Sequence, residues 1–508
     1  MSKYDLYENP LPERYASREI TKIFSRRTRV STWRKLWLWL AEAEKELGLA
    51  QITDGAIEAI RSNLIVTDES FKVAEAEEKI RRHDVMAHVF ALEKDAPAAA
   101  GIIHIGATSC YGMLVYVVFP NVSKASKQAD DLTKVTDNAD LIFMRDALAL
   151  ILPKLAKVIH NLSQFALQFK DLPTLGFTHY QAAQPISLGR RAAQWAQDLA
   201  MDLDDIEAAQ AGLRLRGAQG TTGTQASFLE IFHGDAVKID RLNEMLCEKA
   251  GFPACYDIST QTYSRKVDLR IANALSSFGA SAIHIATDLR LSCHDKIVDE
   301  PHEATQTGSS AMAFKTNPMR CERICALARK LSNLNSNFAS TYSSQWLERS
   351  LDDSAIRRMD IPEMFLLTDA ILITLDNVTS GLVVYPAMIR RQMDEELPFM
   401  AMEGIIMRLV HKGVSRQEAH ERIRVLSLET VREMKTEGAN NTLMEKIKRD
   451  DFFKSIWADL DELLDPKKFT GRSEEIVERY FAPSGPIAGK LEKYKGYIDS
   501  TATATLHV

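Results

Sequence analysis

Apolar residues recur at spacings of three and four along most of the chain, and the alternation found in strands is scarce. Because such spacing places side chains on one face of a helix, the pattern predicts a mostly α-helical protein. Between Ser31 and Gly48, one face carries Trp33, Leu36, Trp37, Leu40 and Leu47. Further long helices are predicted over residues 140–170, 187–213, 266–297 and 317–342. Helices of this length span roughly 40 Å, more than one globular domain requires.

The predicted helix over residues 266–297 lacks a clean polar face. Its apolar positions, spread around much of the helix axis, are Ile271, Ala272, Ala274, Leu275, Ala280, Ile283, Ile285 and Ala286. A helix that is apolar on most sides must be buried on most sides. We therefore expect a bundle of long helices that continues across subunits.

Changes in pattern divide the chain into four parts. We predict an N-terminal helical domain over residues 1–111, an atypical segment over 112–134, a central long-helix domain over 135–384 and a C-terminal helical domain over 385–508. Segment 112–134 opens with an apolar run closed by Pro120 and continues with a lysine-rich stretch, which is typical of a loop. In the last domain, Ser415 and Glu418 form a predicted capping box, and the tail from Ser500 is expected to be disordered.

Composition narrows the class of ligand. The 508 residues carry a formal net charge of −6 with 26% charged residues, so neither nucleic acid nor an acidic membrane surface is an expected partner. No apolar run approaches the ~20 residues of a membrane helix. The N-terminus has no apolar signal-peptide core, and the six cysteines form no CxxC pair. These features predict a soluble cytoplasmic protein with a small-molecule ligand.

Residues 308–318, Gly-Ser-Ser-Ala-Met-Ala-Phe-Lys-Thr-Asn-Pro, have no periodicity, although long helical patterns flank them. Small residues, two hydroxyls and Lys315 before Asn317-Pro318 suit a loop that closes over an anion and brings a proton-transfer group. An ordinary polar linker is the alternative.

His179 stands among amides and hydroxyls in a loop between Pro173 and Pro185. A histidine in such surroundings is a candidate for proton transfer, and a surface or capping role is the alternative.

Arg82 and His83 begin a segment in which His88 follows five residues later. Residues five apart on a helix point about 140° away from each other, so this spacing argues against a shared metal ion. Arg82 and His83 are instead interpreted as anion ligands, with a solvated charged helix face as the alternative.

Three loops rich in small hydroxyl residues, at residues 106–109, 220–225 and 259–263, can cradle carboxylates or phosphate. Arg349, Ser354, Arg357 and Arg358 add forked donors suited to phosphate, although they can also pair with the neighbouring Asp352 and Asp353.

These segments carry a resemblance. Residues 308–318 resemble the GSSxMPxKxNP signature of the fumarase/aspartase superfamily, enzymes that eliminate an amine or water to release fumarate. The closer resemblance is to the adenylosuccinate lyase family of eukaryotic type. It rests on residues 14–17, 33–47, 82–88, 221–227 and 351–354, and it covers nearly the whole chain outside 112–134 and the tail.

The resemblance implies an all-α, three-domain fold and a cofactor-free, metal-free homotetramer. The central helices of the tetramer would form a bundle of twenty helices. Each active site would contain residues from three subunits. It also implies release of fumarate from adenylosuccinate, giving AMP, and from the related succinylated ribotide SAICAR, giving AICAR, in purine biosynthesis. The catalytic residues would be Ser309 as general base and His179 as general acid. The implied substrate contacts are Arg14, Tyr15, Arg82, His83, Asp84, Thr108, Ser109, Gln261, Lys315, Asn317, Arg323, Arg349, Ser354 and Arg358.

Three departures from the family pattern bear on activity. Ala313 and Ala182 stand where the family has prolines, and each exchange loosens a loop by about 0.4–1 kcal/mol without removing a catalytic group. Segment 112–134 follows Thr108-Ser109 closely, so we expect it to displace those two donors and impair a folded enzyme. The competing interpretations are another fumarate-releasing lyase, such as argininosuccinate lyase, a carboxymuconate cycloisomerase, or a catalytically impaired structural homologue.

Overall fold

The computed structural model describes residues 5–103, 136–303, 306, 311–312, 314–501 and 506. Its α-helices are α1 Arg18–Ile23, α2 Arg26–Glu46, α3 Asp54–Arg61, α4 Asp68–Arg81, α5 Asp84–Asp95, α6 Thr136–Gln168, α7 Leu188–Ala211, α8 Ala226–Ile231, α9 Ala236–Ala250, α10 Lys266–His294, α11 Met319–Ser343, α12 Asp353–Ser380, α13 Pro386–Met400, α14 Met402–His411, α15 Arg416–Glu437, α16 Leu443–Arg449, α17 Leu460–Leu463, α18 Ser473–Phe481, α19 Pro486–Glu492 and α20 Lys495–Ser500. The strands are β1 Pro173–Thr178, β2 Gln181–Ser187, β3 Val298–Asp299 and β4 Val383–Val384, paired β1 with β2 and β3 with β4, both antiparallel. The all-α prediction is confirmed.

In the described part of the chain, five long helices form the central bundle. α6 packs against α7 and α12, while α10 packs against α7, α11 and α12, and α11 also contacts α12. None of the helices in the described part of the chain is long and apolar enough to cross a membrane.

The apolar surface of α10 is mostly covered inside one chain. Six of its eight wrapping positions are buried there; of the other two, Ile283 is half-buried and Ala280 is exposed. Burial against α7, α11 and α12 therefore accounts for most of this pattern without a second subunit.

A second hydrophobic core lies in the C-terminal part. It is formed by residues between Ala401 and Leu460, including Ile405, Leu409 and Phe453. By contrast, Ile389 of α13 and residues of α18 and α19 belong to the central core. The domain boundary near residue 385 stays a prediction. Segment 112–134 lies outside the described residues, as does most of the tail.

One helix start and one helix cap differ from expectation. α2 begins five residues earlier than predicted, because the Ser25 side chain accepts a hydrogen bond from the backbone N–H of Thr28 (3.2 Å), whereas Ser31 is buried inside the helix. α15 begins as predicted after Ser415, but the Ser415 side chain makes no cap hydrogen bond, so the predicted capping box is not formed.

His88 gives the N-terminal region a pH-sensitive core. The ring is 4% exposed and lies edge-on to Trp33 and Phe71, with centroids 5.8 Å apart in each case. Burial lowers the pKa of His88 from 6.5 to about 4. As the pH falls, the unfolded chain binds a proton at His88 before the folded chain does. The stability present above about pH 6.5 is therefore lost as the pH falls toward 4.

Because of His88, we expect the free energy of unfolding to fall by about 2 kcal/mol when the pH is lowered from 7.5 to 5. Urea unfolding of the wild type and of His88→Phe at both pH values measures it, because phenylalanine cannot titrate. An equal pH dependence in the two proteins would contradict the prediction.

Candidate active site

His179 lies at the tip of a β-hairpin rather than in the irregular loop expected from the sequence. Strands β1 and β2 pair up to Thr178 and Gln181, which leaves His179 and Tyr180 as a two-residue turn. Both turn residues have left-handed backbones, with φ of 55° and 58°. Two-residue hairpins favour such turns, usually with asparagine or glycine. The sequence lacks that turn signature, and so the hairpin was missed.

The turn presents His179 to solvent from a rigid base. His179 is exposed, and the hairpin packs against α13. Gly176 permits close pairing of the strands, since a Cβ there would lie 2.4 Å from the Gln184 carbonyl oxygen. Non-glycine residues held at positive φ carry strain that the surrounding structure must offset, a feature common at functional sites.

Hydrogen bonds join the residues that flank the signature segment, 308–318, on its two sides. Ser309 lies outside the described residues, as do Ala313 and the other predicted donors Thr108 and Ser109. Lys315 is exposed and Asn317 half-buried just before α11, which begins at Met319, two residues later than predicted. The buried Glu300 carboxylate accepts from the backbone N–H groups of Arg320 and Cys321, both at 2.9 Å, and thereby caps α11.

A second group of predicted residues meets at the start of α12. Arg358 donates to the Asp84 carboxylate at 2.8 Å, so the α4–α5 junction is joined to α12. His83 caps α5, its Nδ1 accepting from the backbone N–H of Met86 at 3.3 Å, and Arg82 ends α4 with φ 56°. Ser354 and Arg358 line the same narrow cleft. Four predicted anion ligands thus lie close to one another: Arg82, His83, Ser354 and Arg358.

A third group lines a cavity of about 310 Å³. Its walls include Thr221, Thr222, Gln261 and Arg349. Arg349 donates to the Gln261 side-chain oxygen at 3.3 Å. The two hydroxyl-rich loops are in close contact here: a Cβ on Gly223, which has φ 83°, would lie 1.9 Å from the Ser259 carbonyl oxygen. The structure therefore unites two of the predicted anion-binding loops with a predicted phosphate ligand.

The fourth group lines a cavity of about 910 Å³. Arg14, Tyr15 and Arg323 lie on its wall, and basic side chains outnumber acidic ones along the lining. The Arg323 guanidinium lies 5.4 Å from the centroid of the Tyr15 ring, and burial lowers the pKa of Arg323. The backbone N–H of Ser17 donates to Asp369 at 2.6 Å, which ties this segment to α12.

One chain does not bring all of these groups together. Leu372, on the wall of the larger cavity, lies about 27 Å further along α12 than Ser354 at 1.5 Å per residue. The Arg14 group and the Ser354 group of one chain therefore line separate cavities at different points along α12.

Sequence reasoning missed a buried ionic network behind the smaller cavity. Arg265 pairs with Asp137 of α6 at 3.1 Å and with Asp353 of α12 at 2.7 Å. Arg357 pairs with Asp268 at 2.7 Å, and the Tyr263 hydroxyl donates to Asp268 at 2.6 Å. Burial opposes the charge of Arg265, but Asp137 and Asp353 outweigh it and hold its pKa above the ordinary value.

Asp353 corrects one expectation. It is fully buried and pairs with Arg349 at 3.3 Å, so the ion pair considered for this segment does exist, but in the interior rather than on the surface. The exposed Asp352 instead accepts from Ser344 and Gln345. Nothing in the sequence distinguishes the two neighbouring aspartates.

His83 and His88 lie in different surroundings. His83 caps a helix, whereas His88 is buried between aromatic rings. Within the described ranges, no group of three or more His, Cys, Asp and Glu side chains is arranged to hold a metal ion.

The same fold occurs in solved lyase-like structures. A 3-carboxy-cis,cis-muconate lactonizing enzyme from Pseudomonas putida superposes with a TM-score of 0.77 at 22% identity, over 96% of this chain and 100% of the other. A fumarate lyase from Mesorhizobium sp. BNC1 gives a TM-score of 0.73 at 20% identity, over 94% and 99%. A family model described as Lyase matches residues 133–332. The solved structures thus show the fold, and residues 133–332 match the model of a lyase family.

Closer sequence relatives specify the family. Residues 398–480 match the model of the adenylosuccinate lyase C-terminus. The adenylosuccinate lyase of Saccharomyces cerevisiae is 52% identical over 98% of both chains, and that of Schistosoma mansoni is 46% identical over 100% of both. This chain belongs to the adenylosuccinate lyase family.

Proposed function

We propose that the protein cleaves adenylosuccinate to AMP and fumarate, and SAICAR to AICAR and fumarate, in purine biosynthesis. The observation that carries the proposal is identity of 46–52% along almost the whole chain to proteins named adenylosuccinate lyase. The arginines beside Ser354 agree with it, because a nucleotide substrate carries a phosphate and argininosuccinate does not.

The chemistry is a β-elimination, and its difficult step is removal of a weakly acidic C–H beside a carboxylate. In the proposed mechanism Ser309 takes this proton, while His179 protonates the departing nitrogen. Serine is a poor base in water, so Lys315 and loop N–H groups must stabilise its alkoxide in a site that excludes solvent. Thr108, Ser109 and Asn317 would share the charge of the doubly negative intermediate.

Substrate contacts would come from several subunits of a cytoplasmic homotetramer. Four chains, each with the five long helices of its described residues, would supply a core of twenty helices. The rise of about 27 Å along α12 between Ser354 and Leu372 supports active sites assembled from more than one chain. In such a site, Arg14 and Tyr15 of one subunit would act with Arg349, Ser354 and Arg358 of another.

The direct test is the ultraviolet absorbance change when the purified full-length protein is mixed with adenylosuccinate, SAICAR or argininosuccinate. Turnover of both succinyl nucleotides, without turnover of argininosuccinate, is the expected result. Turnover of argininosuccinate alone would overturn the proposal. The mass of the assembly in solution tests the homotetramer separately.

Segment 112–134 is expected to reduce this activity. Deleting it should raise kcat/KM for adenylosuccinate at least tenfold, about 1.4 kcal/mol, because Thr108 and Ser109 would then be joined directly to the helix that begins at Thr136. A chain in which a Gly/Ser linker of equal length replaces the segment separates the effect of length from that of sequence. Equal turnover and equal tetramer stability in all three proteins would show that the segment is harmless.

A further inference from the structure

Arg349 is unusually enclosed for a residue expected to bind phosphate. Its side chain is 6% exposed, compared with 41% for Arg358. One terminal nitrogen donates to Gln261 at 3.3 Å, and the other to Asp353 at 3.3 Å. The guanidinium is therefore already oriented at the wall of the smaller cavity in the absence of substrate.

Asp353 is itself fixed by a second arginine. While one of its oxygens accepts from Arg349, the other accepts from Arg265 at 2.7 Å. Arg265 also donates to both oxygens of Asp137, each at 3.1 Å. Arg265 is 1% exposed, and both carboxylates are fully buried. Because a guanidinium presents its donors in a planar fork, these bonds leave the Asp353 carboxylate little freedom to rotate.

The bonds lead from the bundle to the cavity. Asp137 belongs to α6 and Asp353 to α12, and Arg265 directly precedes α10, so this part of the network joins three bundle helices. The network continues through Asp353 to Arg349 and Gln261, which line the smaller cavity together with Thr221 and Thr222.

We infer that Asp353, held by Arg265, is a positioning residue that orients Arg349 for the phosphate of the substrate. The inference rests on the proposed function. A fixed donor loses little conformational entropy when the phosphate arrives, so affinity for the nucleotide depends on the Asp353 carboxylate although it does not touch the ligand.

The test compares Asp353→Asn with Asp352→Asn, a matched control at the exposed neighbouring aspartate. We expect Asp353→Asn to raise KM for adenylosuccinate and Ki for AMP about tenfold, with kcat changed less than about threefold. Ki for adenosine, which lacks the phosphate, should not change. Asp352→Asn should behave like the wild type.

A double-mutant cycle with Arg349→Gln shows whether Asp353 acts through Arg349. In the Arg349→Gln background, Asp353→Asn should raise KM no further. If Asp353→Asn does not fold, Arg265→Lys replaces it, since lysine keeps the charge but cannot bond both carboxylates as a fork, and the same pattern is expected.

The inference would be overturned if the effects of Asp353→Asn and Arg349→Gln on KM were additive, or if Ki rose equally for AMP and adenosine. Asp353 would then have only a structural role. Absence of adenylosuccinate turnover both in the wild type and in the chain that lacks residues 112–134 would refute the proposed function instead, so the two failures are distinguishable. Melting temperature and assembly mass are measured for each variant.

Discussion

Replacing Ser309 with alanine is expected to lower kcat for adenylosuccinate about a thousandfold, within the range for loss of a general base. Alanine removes the oxygen proposed to take the proton from the substrate and changes no other residue of the loop. KM should change little, because this hydroxyl acts mainly in the transition state. Steady-state absorbance kinetics on the purified protein measures both constants.

The matched control is Ser310→Ala, a change of the same kind one position along the loop. It should cost less than about tenfold, since the resemblance assigns proton abstraction to Ser309. Loss of less than tenfold in Ser309→Ala, or equal losses in the two variants, would remove Ser309 from the role of base.

The long helices were predictable because their signal is local and repeated. The predictions for 140–170 and 266–297 lie within four residues of α6 and α10 at each end, since many apolar positions at helical spacing define each helix. The errors lie at helix boundaries, where a few residues determine the first turn. At Ser25, a capping hydrogen bond starts α2 before the periodic pattern becomes clear.

The candidate site was predictable only where a motif carried it. Gln261 and Arg349 could be named from the resemblance, and the structure places them in contact. Their support could not be named, because Arg265 and Asp353 resemble any other charged residues in the printed sequence. Only the fold reveals that they are buried and paired across helices distant in sequence.

His179→Asn is expected to lower kcat for adenylosuccinate by a hundredfold to a thousandfold, with the estimate taken from the usual contribution of an acid–base group. Asparagine is chosen because it tolerates the left-handed backbone that His179 adopts at φ 55°. The hairpin should therefore survive, while the group proposed to protonate the departing nitrogen is lost. Kinetics with the melting temperature as a folding check measures the effect.

Tyr180→Phe is the control in the same turn, where φ is 58° and the side chain is 88% exposed. It should stay within about threefold of the wild type, since it alters neither the backbone nor the imidazole. A loss as large as that of His179→Asn would mean that the hairpin tip, and not the histidine, is required.

Mixing the two inactive variants extends the test to assembly. If His179 and Ser309 of one site belong to different subunits, random reassembly of His179→Asn with Ser309→Ala leaves both groups intact in about a quarter of the sites. Activity should then return after mixing, although neither parent is active. If both groups come from one subunit, every site lacks one of them and the mixture stays inactive. The result therefore decides whether His179 and Ser309 of one active site come from one subunit or from two.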